Sequence, residues 1–376
     1  MGYVDADCHG LETGRHTWEY FDPSERHYGP PAQGPWVFEN SVITVDAPLV
    51  GAASLADPEL KARLEKYYPE GTNNLSNIPA RLKVMDMMGV DVQICFSNFW
   101  LLDPVEDPAR EAALARSWNR FAAEWTAPSN GRIRWMAHPP ARTMERAFQE
   151  AEFAAKNGAA GLEISGYKYE IAPGNPFWHP LYERAQDLDL CIAFHLGGPG
   201  TLFKRAPEDY YYRTFSRVQG AFHSLLMFDI ARKFPKLKFA FVETSAAWVP
   251  VALAAMFRTR NGSPSIREFG DWRKRGADYL ANANMYVTAL MDEDMGYTVN
   301  YTGHDRMMIG TDYSHMDVGS DPEGLRHTME RTDVPKATLT KIVDDNPRRC
   351  YGVAKDFRPS DANRNMNERV TAGASR

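Results

Sequence analysis

The chain has 376 residues, 44% of them hydrophobic, and a formal net charge of -6. That length suits one elaborated α/β barrel, which takes roughly 250 residues before insertions. The mild acidity and the lack of any Lys/Arg run argue against a nucleic-acid binder, so a small molecule is the expected partner. Four cysteines (Cys8, Cys95, Cys191, Cys350) form no CxxC pair, and two of them sit in apolar runs where Cys acts as a small hydrophobe. No disulfide framework is expected, and a reducing cytoplasmic setting follows from that reading. The opening MGYVDADCHG has no basic segment followed by an apolar stretch, so it is not read as a signal peptide. No apolar run reaches the roughly 18 residues of a membrane span.

Short apolar runs alternate with amphipathic stretches along the interior. In chain order the expected strands are Tyr3–Ala6, Val92–Phe96, Ile133–Ala137, Ala160–Ile164, Leu190–Phe194, Leu237–Val242, Met285–Val287 and Met307–Ile309. Expected helices lie between them at Ile78–Met88, Pro108–Ala127, Thr143–Asn157, Phe177–Asp187 and Phe222–Phe234. Apolar strands alternating with helices imply a parallel sheet covered on both faces. Eight of them favour a (β/α)8 TIM-type barrel over an open doubly wound sheet, and no Gly-rich dinucleotide fingerprint follows any strand. Residues 12–77, directly after the first strand, are rich in Pro, Gly, Tyr and Trp and lack periodicity. They read as an insertion that caps the strand C-termini. The expected domain covers 1–354, with 355–376 as a polar C-terminal arm, docked or partly disordered.

In a barrel enzyme the catalytic residues project from the C-terminal ends of several strands, so metal-ligating residue types at those ends carry the information. The first strand leads into Asp5-Ala-Asp7-Cys-His9, and strict alternation would put Asp5, Asp7 and His9 on one face. A strand-end turn would account for the same residues. The fifth strand runs into His195-Leu-Gly-Gly-Pro-Gly, which leaves room for an ion or substrate beside the ring; a hydrogen-bonded structural histidine is the alternative. The sixth ends in Glu243, a carboxylate that is costly to bury without an ion or donors beside it. The eighth delivers Thr311-Asp312-Tyr313-Ser314-His315, where Asp312 is the strongest carboxylate candidate and a helix N-cap its alternative. His138 ends the third strand as a structural or substrate-facing residue. His223, in the helix before the sixth strand, is a pocket candidate with a surface or core role equally open. Asp7, His9, His195 and Asp312 together make a mixed nitrogen and oxygen set for one divalent ion, Zn²⁺ first, with Mn²⁺ or Fe²⁺ after it.

The order of these segments resembles the amidohydrolase superfamily, and within it the branch of aminocarboxymuconate-semialdehyde decarboxylase and the resorcylate-type decarboxylases. The resemblance rests on VDADCHGLE at the first strand, ARLKVMDMMGVD before the second and FHLGGPG at the fifth. FVETSAAWVP at the sixth, MIGTDYSH at the eighth and the closing DNPRRCYG extend it over nearly the whole chain. It implies a metal-dependent barrel enzyme, with ligation carried onto Asp7, His9, His195 and Asp312. Glu12 matches the glutamate of a D-x-D-x-H-x-x-E variant and is implied as a further ligand or a loop anchor. The first-strand motif of the family is usually H-x-H or E-x-H where this chain has Asp7-x-His9. Many relatives also place a histidine where Glu243 stands. The acid/base role therefore falls among Asp312, Glu243 and His223.

Two reactions share such a ligand set. One is non-oxidative decarboxylation of an aromatic or unsaturated carboxylic acid; the other is hydrolysis of an amide, lactone or carbon–carbon bond by a metal-activated water. The resemblance favours the first. His315, Trp100 and His138 are the expected substrate contacts. Trp18, Tyr20, Phe21, Tyr28, Trp36, Phe38 and Phe99 form either an apolar lid or the core of the insertion. Arg15, Lys168 and Arg217 are basic residues available to a substrate carboxylate. A non-catalytic metal-binding scaffold is the reading from another class, and carboxylates at strand ends argue against it, since closed structural zinc sites favour Cys and His. Relatives often pair, so a homodimer is the assembly the resemblance suggests.

Overall fold

The computed structural model describes residues 2–11, 17–29, 35–37, 42–44, 58–98, 105–197, 215–258, 276–315 and 319–359. Eight parallel strands are hydrogen-bonded in chain order: β1 (Tyr3–Gly10), β2 (Val90–Ser97), β3 (Ile133–Ala137), β4 (Gly161–Ser165), β5 (Cys191–His195), β6 (Phe239–Val242), β7 (Met285–Ala289) and β8 (Met307–Ile309). The two ends of the sheet meet, because the Asp312 amide donates to the Asp7 carbonyl (3.0 Å) and the His9 amide to the Tyr313 carbonyl (2.8 Å). Helices alternate with the strands, so this is the (β/α)8 barrel expected. A short antiparallel pair, Pro35–Val37 with Val42–Thr44, belongs to the insertion after β1.

The core lies in two shells, as a sheet covered on both faces requires. Val4, Ala6, Val92, Ile94, Phe96, Met136, Ala193, Ala240, Val242 and Met308 fill the barrel interior. Their neighbours in sequence, such as Cys95, Trp135, Ile192, Phe241 and Val287, point outward against the helices. Each large side chain buried in this way contributes about 1.5–3 kcal/mol. Cys350, Tyr351 and Val353 close the far end of the interior, and the Tyr351 hydroxyl donates to the Ala6 carbonyl at 3.2 Å. Phe357, in the expected C-terminal arm, packs against this plug; residues from 360 onward lie outside the described part.

The helices start and stop where local chemistry dictates. Helix α1 (Pro58–Tyr67) lies within the insertion. Helix α2 (Ile78–Met88) begins at Asn77, whose side chain accepts the Ala80 amide, and ends at Gly89 with φ 75, the left-handed stop that glycine allows. Helix α3 (Pro108–Thr126) is capped by Asp107. Helices α4 (Met144–Lys156) and α5 (His179–Asp187) follow. The single helix expected over Phe222–Phe234 is instead two, α6 (Ser216–Met227) and α7 (Ile230–Lys233). They break at Asp229, whose φ of 57 ends one helix and opens the next; Asp is among the few residues that tolerate this region. Among the described residues, no helix is long and apolar enough to cross a membrane.

Two local features shape the barrel mouth. Strand β1 runs on past Ala6 to Gly10, and between the Asp5–Gln93 and Cys8–Cys95 pairs it carries one residue more than β2. Such a bulge reverses the alternation. Asp5 therefore faces outward while Asp7 and His9 turn into the mouth, and the expectation that all three share a face does not hold. At the seam, a Cβ on Gly310 would sit 2.4 Å from the Asp7 Cβ, so only glycine lets β8 leave this close to β1. The described part of the insertion lies on the same side: Arg63 of α1 donates to the Ser320 carbonyl, and the Tyr313 hydroxyl donates to the Tyr67 carbonyl.

Candidate metal centre

Six side chains from four strand ends converge at the C-terminal mouth. The His9 Nε2 lies 3.6 Å from Asp7 Oδ1 and 3.3 Å from Asp312 Oδ1, and His195 Nε2 lies 3.2 Å from Asp7 Oδ1. Glu243 Oε2 is 3.8 Å from His195 Nδ1, and His315 Nδ1 is 2.8 Å from Asp312 Oδ1. The His9 ring is stacked on His315, with centroids 3.9 Å apart. Two overlapping donor sets result, one of Asp7, His9, His195 and Glu243 and one of His9, Glu243, Asp312 and His315, each with ligand atoms within 4.8 Å of one another. Both strand-end carboxylates sit on left-handed backbone, φ 60 at Glu243 and φ 50 at Asp312. Such strain on non-glycine residues costs of order 1–3 kcal/mol and clusters where function demands it.

Hydrogen bonds around the cluster orient its rings. His9 Nδ1 donates to the Ser97 carbonyl (3.1 Å), which turns Nε2 into the mouth. His195 Nδ1 donates to the Leu196 carbonyl (2.7 Å), with the same effect. His9 Nε2 is buried with carboxylate oxygens at 3.6 and 3.3 Å around it, while Asp312 Oδ1 meets the His315 ring at 2.8 Å. Other buried polar atoms of the chain also lack a partner, but an imidazole nitrogen lying between carboxylates from two strand ends is a position that a cation would fit. The spacing agrees. A tetrahedral shell with metal–ligand bonds of 2.0–2.2 Å has edges of about 3.3–3.6 Å, close to the His9–Asp7, His9–Asp312 and His195–Asp7 contacts, although Asp7 and His195 belong to one donor set and Asp312 to the other. Histidine nitrogens and carboxylate oxygens in one set fit a divalent ion.

Electrostatics point the same way. Burial, followed by the neighbouring His315, lowers the His9 pKa to about 4, so its ring is neutral and its Nε2 lone pair is available. Burial also opposes charge on His195, but Asp7, then Glu243 and Glu163, outweigh it and lift that ring to about 10. Carboxylates on both sides of the His195 ring thus favour positive charge at this point. Burial acts against the charged Asp312, yet His315 and His9 hold its carboxyl well below the usual range.

Beside this cluster opens a cavity of about 240 Å³. Leu196, Phe215, Leu290 and Met291 give it an apolar wall, and Glu243 and Asp292 an acidic one. His138 stands behind the cluster rather than in it: its Nε2 shares a 2.7 Å hydrogen bond with Ser97 Oγ and lies 3.4 Å from Glu163 Oε2. Burial, then Lys168 and His195, push the His138 pKa well below the ordinary value. Lys168 is itself buried, 3.3 Å from Glu111, and Arg217 is buried in α6. His223 lies half-buried on α6 and is not among the groups that line the cavity or meet at the ion site. Phe21 is in the main core, and Tyr20 and Tyr28 pack against it. Glu12, Arg15, Phe38, Phe99 and Trp100 lie outside the described residues, as does the side chain of Trp36. Glu163 and Ser97 were missed by sequence reasoning. A carboxylate inside the apolar run Ala160–Ile164 was a legible signal, whereas a backbone carbonyl acting as a histidine's partner leaves none.

Comparison with known proteins decides the family. A family model described as amidohydrolase matches residues 79–353. The chain belongs to the amidohydrolase family. This amidohydrolase is 23% identical over 306 residues to a gamma-resorcylate decarboxylase from Polaromonas sp., covering 76% of the chain and 91% of that protein. Its fold is that of an amidohydrolase from Mycobacterium avium subsp. paratuberculosis K-10, with TM-score 0.70, 17% identity and coverage of 94% and 98%. A 5-carboxyvanillate decarboxylase from Novosphingobium aromaticivorans, solved with bound manganese and 3-methoxy-4-hydroxy-5-nitrobenzoic acid, is similar in fold at TM-score 0.59. The two are 17% identical, with coverage of 80% of this amidohydrolase and 86% of that chain.

Proposed function

We propose that this amidohydrolase catalyses metal-dependent, non-oxidative decarboxylation of a small aromatic or unsaturated carboxylic acid. The observation that carries the reading is the convergence of Asp7, His9, His195, Glu243 and Asp312 at the barrel mouth, where Asp7, Glu243 and Asp312 line a part-apolar cavity of about 240 Å³. A gamma-resorcylate decarboxylase among the relatives supports it. Asp7, His9, His195 and Asp312 would hold the ion, zinc first and manganese or iron as alternatives. When bound, the ion supplies a charge that fixes a substrate carboxylate and offsets developing negative charge. Leu196, Phe215, Leu290 and Met291 hold the ring and exclude water from it. Asp312, in contact with His315, and Glu243, beside His195, are the groups assigned to move the proton that replaces the departing carboxyl. His315, beside Asp312, is assigned to a substrate oxygen, and His138 supports Ser97, whose carbonyl orients His9.

Hydrolysis uses the same ligands, so the test must separate the two. Metal-loaded protein is offered a panel of hydroxyaromatic acids, amides and lactones in ¹⁸O-water. Release of carbon dioxide with no ¹⁸O in the aromatic product is the expected result. Cleavage of an amide or lactone with ¹⁸O uptake and no carbon dioxide would replace the proposal by the hydrolytic one.

A further inference from the structure

Directly outside the mouth, on the helix side of β1 and β2, a second polar cluster is wholly buried. Arg81, from α2, donates through Nε to Gln93 Oε1 (2.8 Å) and through Nη1 to the Thr72 carbonyl (2.8 Å) and Ser314 Oγ (3.1 Å). Its Nη2 reaches the carbonyl of His9 at 3.5 Å, and its guanidinium lies 3.9 Å from the centre of the Tyr313 ring. The Ser314 hydroxyl donates to the same His9 carbonyl at 2.9 Å. Gln93 passes the link on: its Nε2 donates to Asp5 Oδ2 (2.9 Å), and Asp5 also accepts the Thr311 amide (2.8 Å) and hydroxyl (2.6 Å).

No ion ligand contributes a side chain to this cluster, yet every ligand on β1 and β8 is bracketed by it. Asp5 lies two positions before Asp7, the His9 carbonyl is held directly, Thr311 precedes Asp312, and Ser314 follows it by two. We propose that Arg81 is a positioning residue for the metal centre, its guanidinium fixing the strand ends that present Asp7, His9 and Asp312. The physical reason is the cost of burying a guanidinium. It is tolerable only when the donors are satisfied, and here the acceptors are the strand and loop atoms that set the ligand spacing. A planar, forked donor is needed to reach β2, the insertion and the β8 exit at once; an ammonium cannot serve them all. Groups that orient ligands from behind typically change metal affinity about 10–100-fold when removed.

The inference rests on the metal reading above, and its test keeps the two apart. Apo protein, made by chelation, is titrated with Co²⁺ for the wild type, Arg81→Met, Arg81→Lys and Ser314→Ala, with the dissociation constant and the visible ligand-field spectrum as readouts. Arg81→Met should weaken Co²⁺ binding about 10–100-fold and shift the spectrum. Arg81→Lys should recover part of the affinity, and Ser314→Ala should show a smaller weakening with a spectral shift. A purely structural role would lower the melting temperature and leave the spectrum of the bound ion unchanged. Wild-type affinity and spectrum in Arg81→Met would overturn the proposal; if that variant does not fold, the same result in Arg81→Lys and Ser314→Ala overturns it. Wild-type protein that binds no Co²⁺ overturns the metal reading, and this inference with it.

Discussion

Asp5 and Asp7 are two residues apart on one strand, equally removed from water, and they belong to opposite kinds of polar region. Asp5 sits in a cluster where each carboxylate oxygen is matched by a donor from Gln93 or Thr311. Burial still raises its pKa to about 6, against those hydrogen bonds. Asp7 faces His9 and His195 in a cluster where His9 Nε2 lies between two carboxylates at 3.3 and 3.6 Å. The first region is complete as it stands. The second gathers histidine nitrogens and carboxylate oxygens around one point, the place of the proposed cation. A single extra residue in β1 divides the two, and what it teaches is that satisfaction of buried polar atoms separates an architectural cluster from a reactive one more sharply than residue type does.

The comparison breaks most severely at the ligands. His195→Ala or Asp312→Asn should take activity to background and strip the ion while circular dichroism still reports the barrel; full activity in Asp312→Asn would end the proposed mechanism. Glu243→Gln should lower kcat by about 10²–10⁴, the range of a proton-transferring group, and leave metal content near that of the wild type by elemental analysis. Loss of the ion in that variant would instead make Glu243 a ligand. Gly310→Ala should cost about 1–3 kcal/mol in denaturant unfolding, because the new methyl must displace Asp7, and it should reduce metal content as well. Asp5→Asn sharpens the other side. It leaves a donor of Thr311 or Gln93 mismatched and should cost about 1–3 kcal/mol, with the ion still bound at saturating metal.

Most of the fold was legible because the strands are short apolar runs, and all eight fall where the pattern of Val, Ile, Phe and Met puts them. The cluster at the mouth was legible for a related reason: a His, Asp or Glu directly after such a run falls at the C-terminal end of the barrel. The bulge in β1 was not legible. A register shift depends on what the neighbouring strand does, and nothing in YVDADCHG marks it. Arg81 was hidden too, because a basic residue in an amphipathic helix reads as solvated, and only the tertiary fold brings Gln93, Thr72 and Ser314 around it. Asp229 shows the same limit on a smaller scale. The apolar periodicity continues through Phe222–Phe234, whereas the backbone turns left-handed in the middle.

The seam between β1 and β8 also bears on how the protein is made. Asp7 and Asp312 are joined through backbone hydrogen bonds across a separation of more than three hundred residues, and the Tyr351 plug is tied back to Ala6. Contacts so distant in sequence form late, after the entropy of closing the intervening chain has been met. On the ribosome the first strand therefore waits, its edge unpaired on one side, until the eighth has emerged. Before that moment a nascent chain carries Asp7, His9, His195 and Glu243 but lacks Asp312 and His315. A chain stopped short of β8 would therefore lack the second donor set, and with it the seam that holds Asp7 beside Asp312.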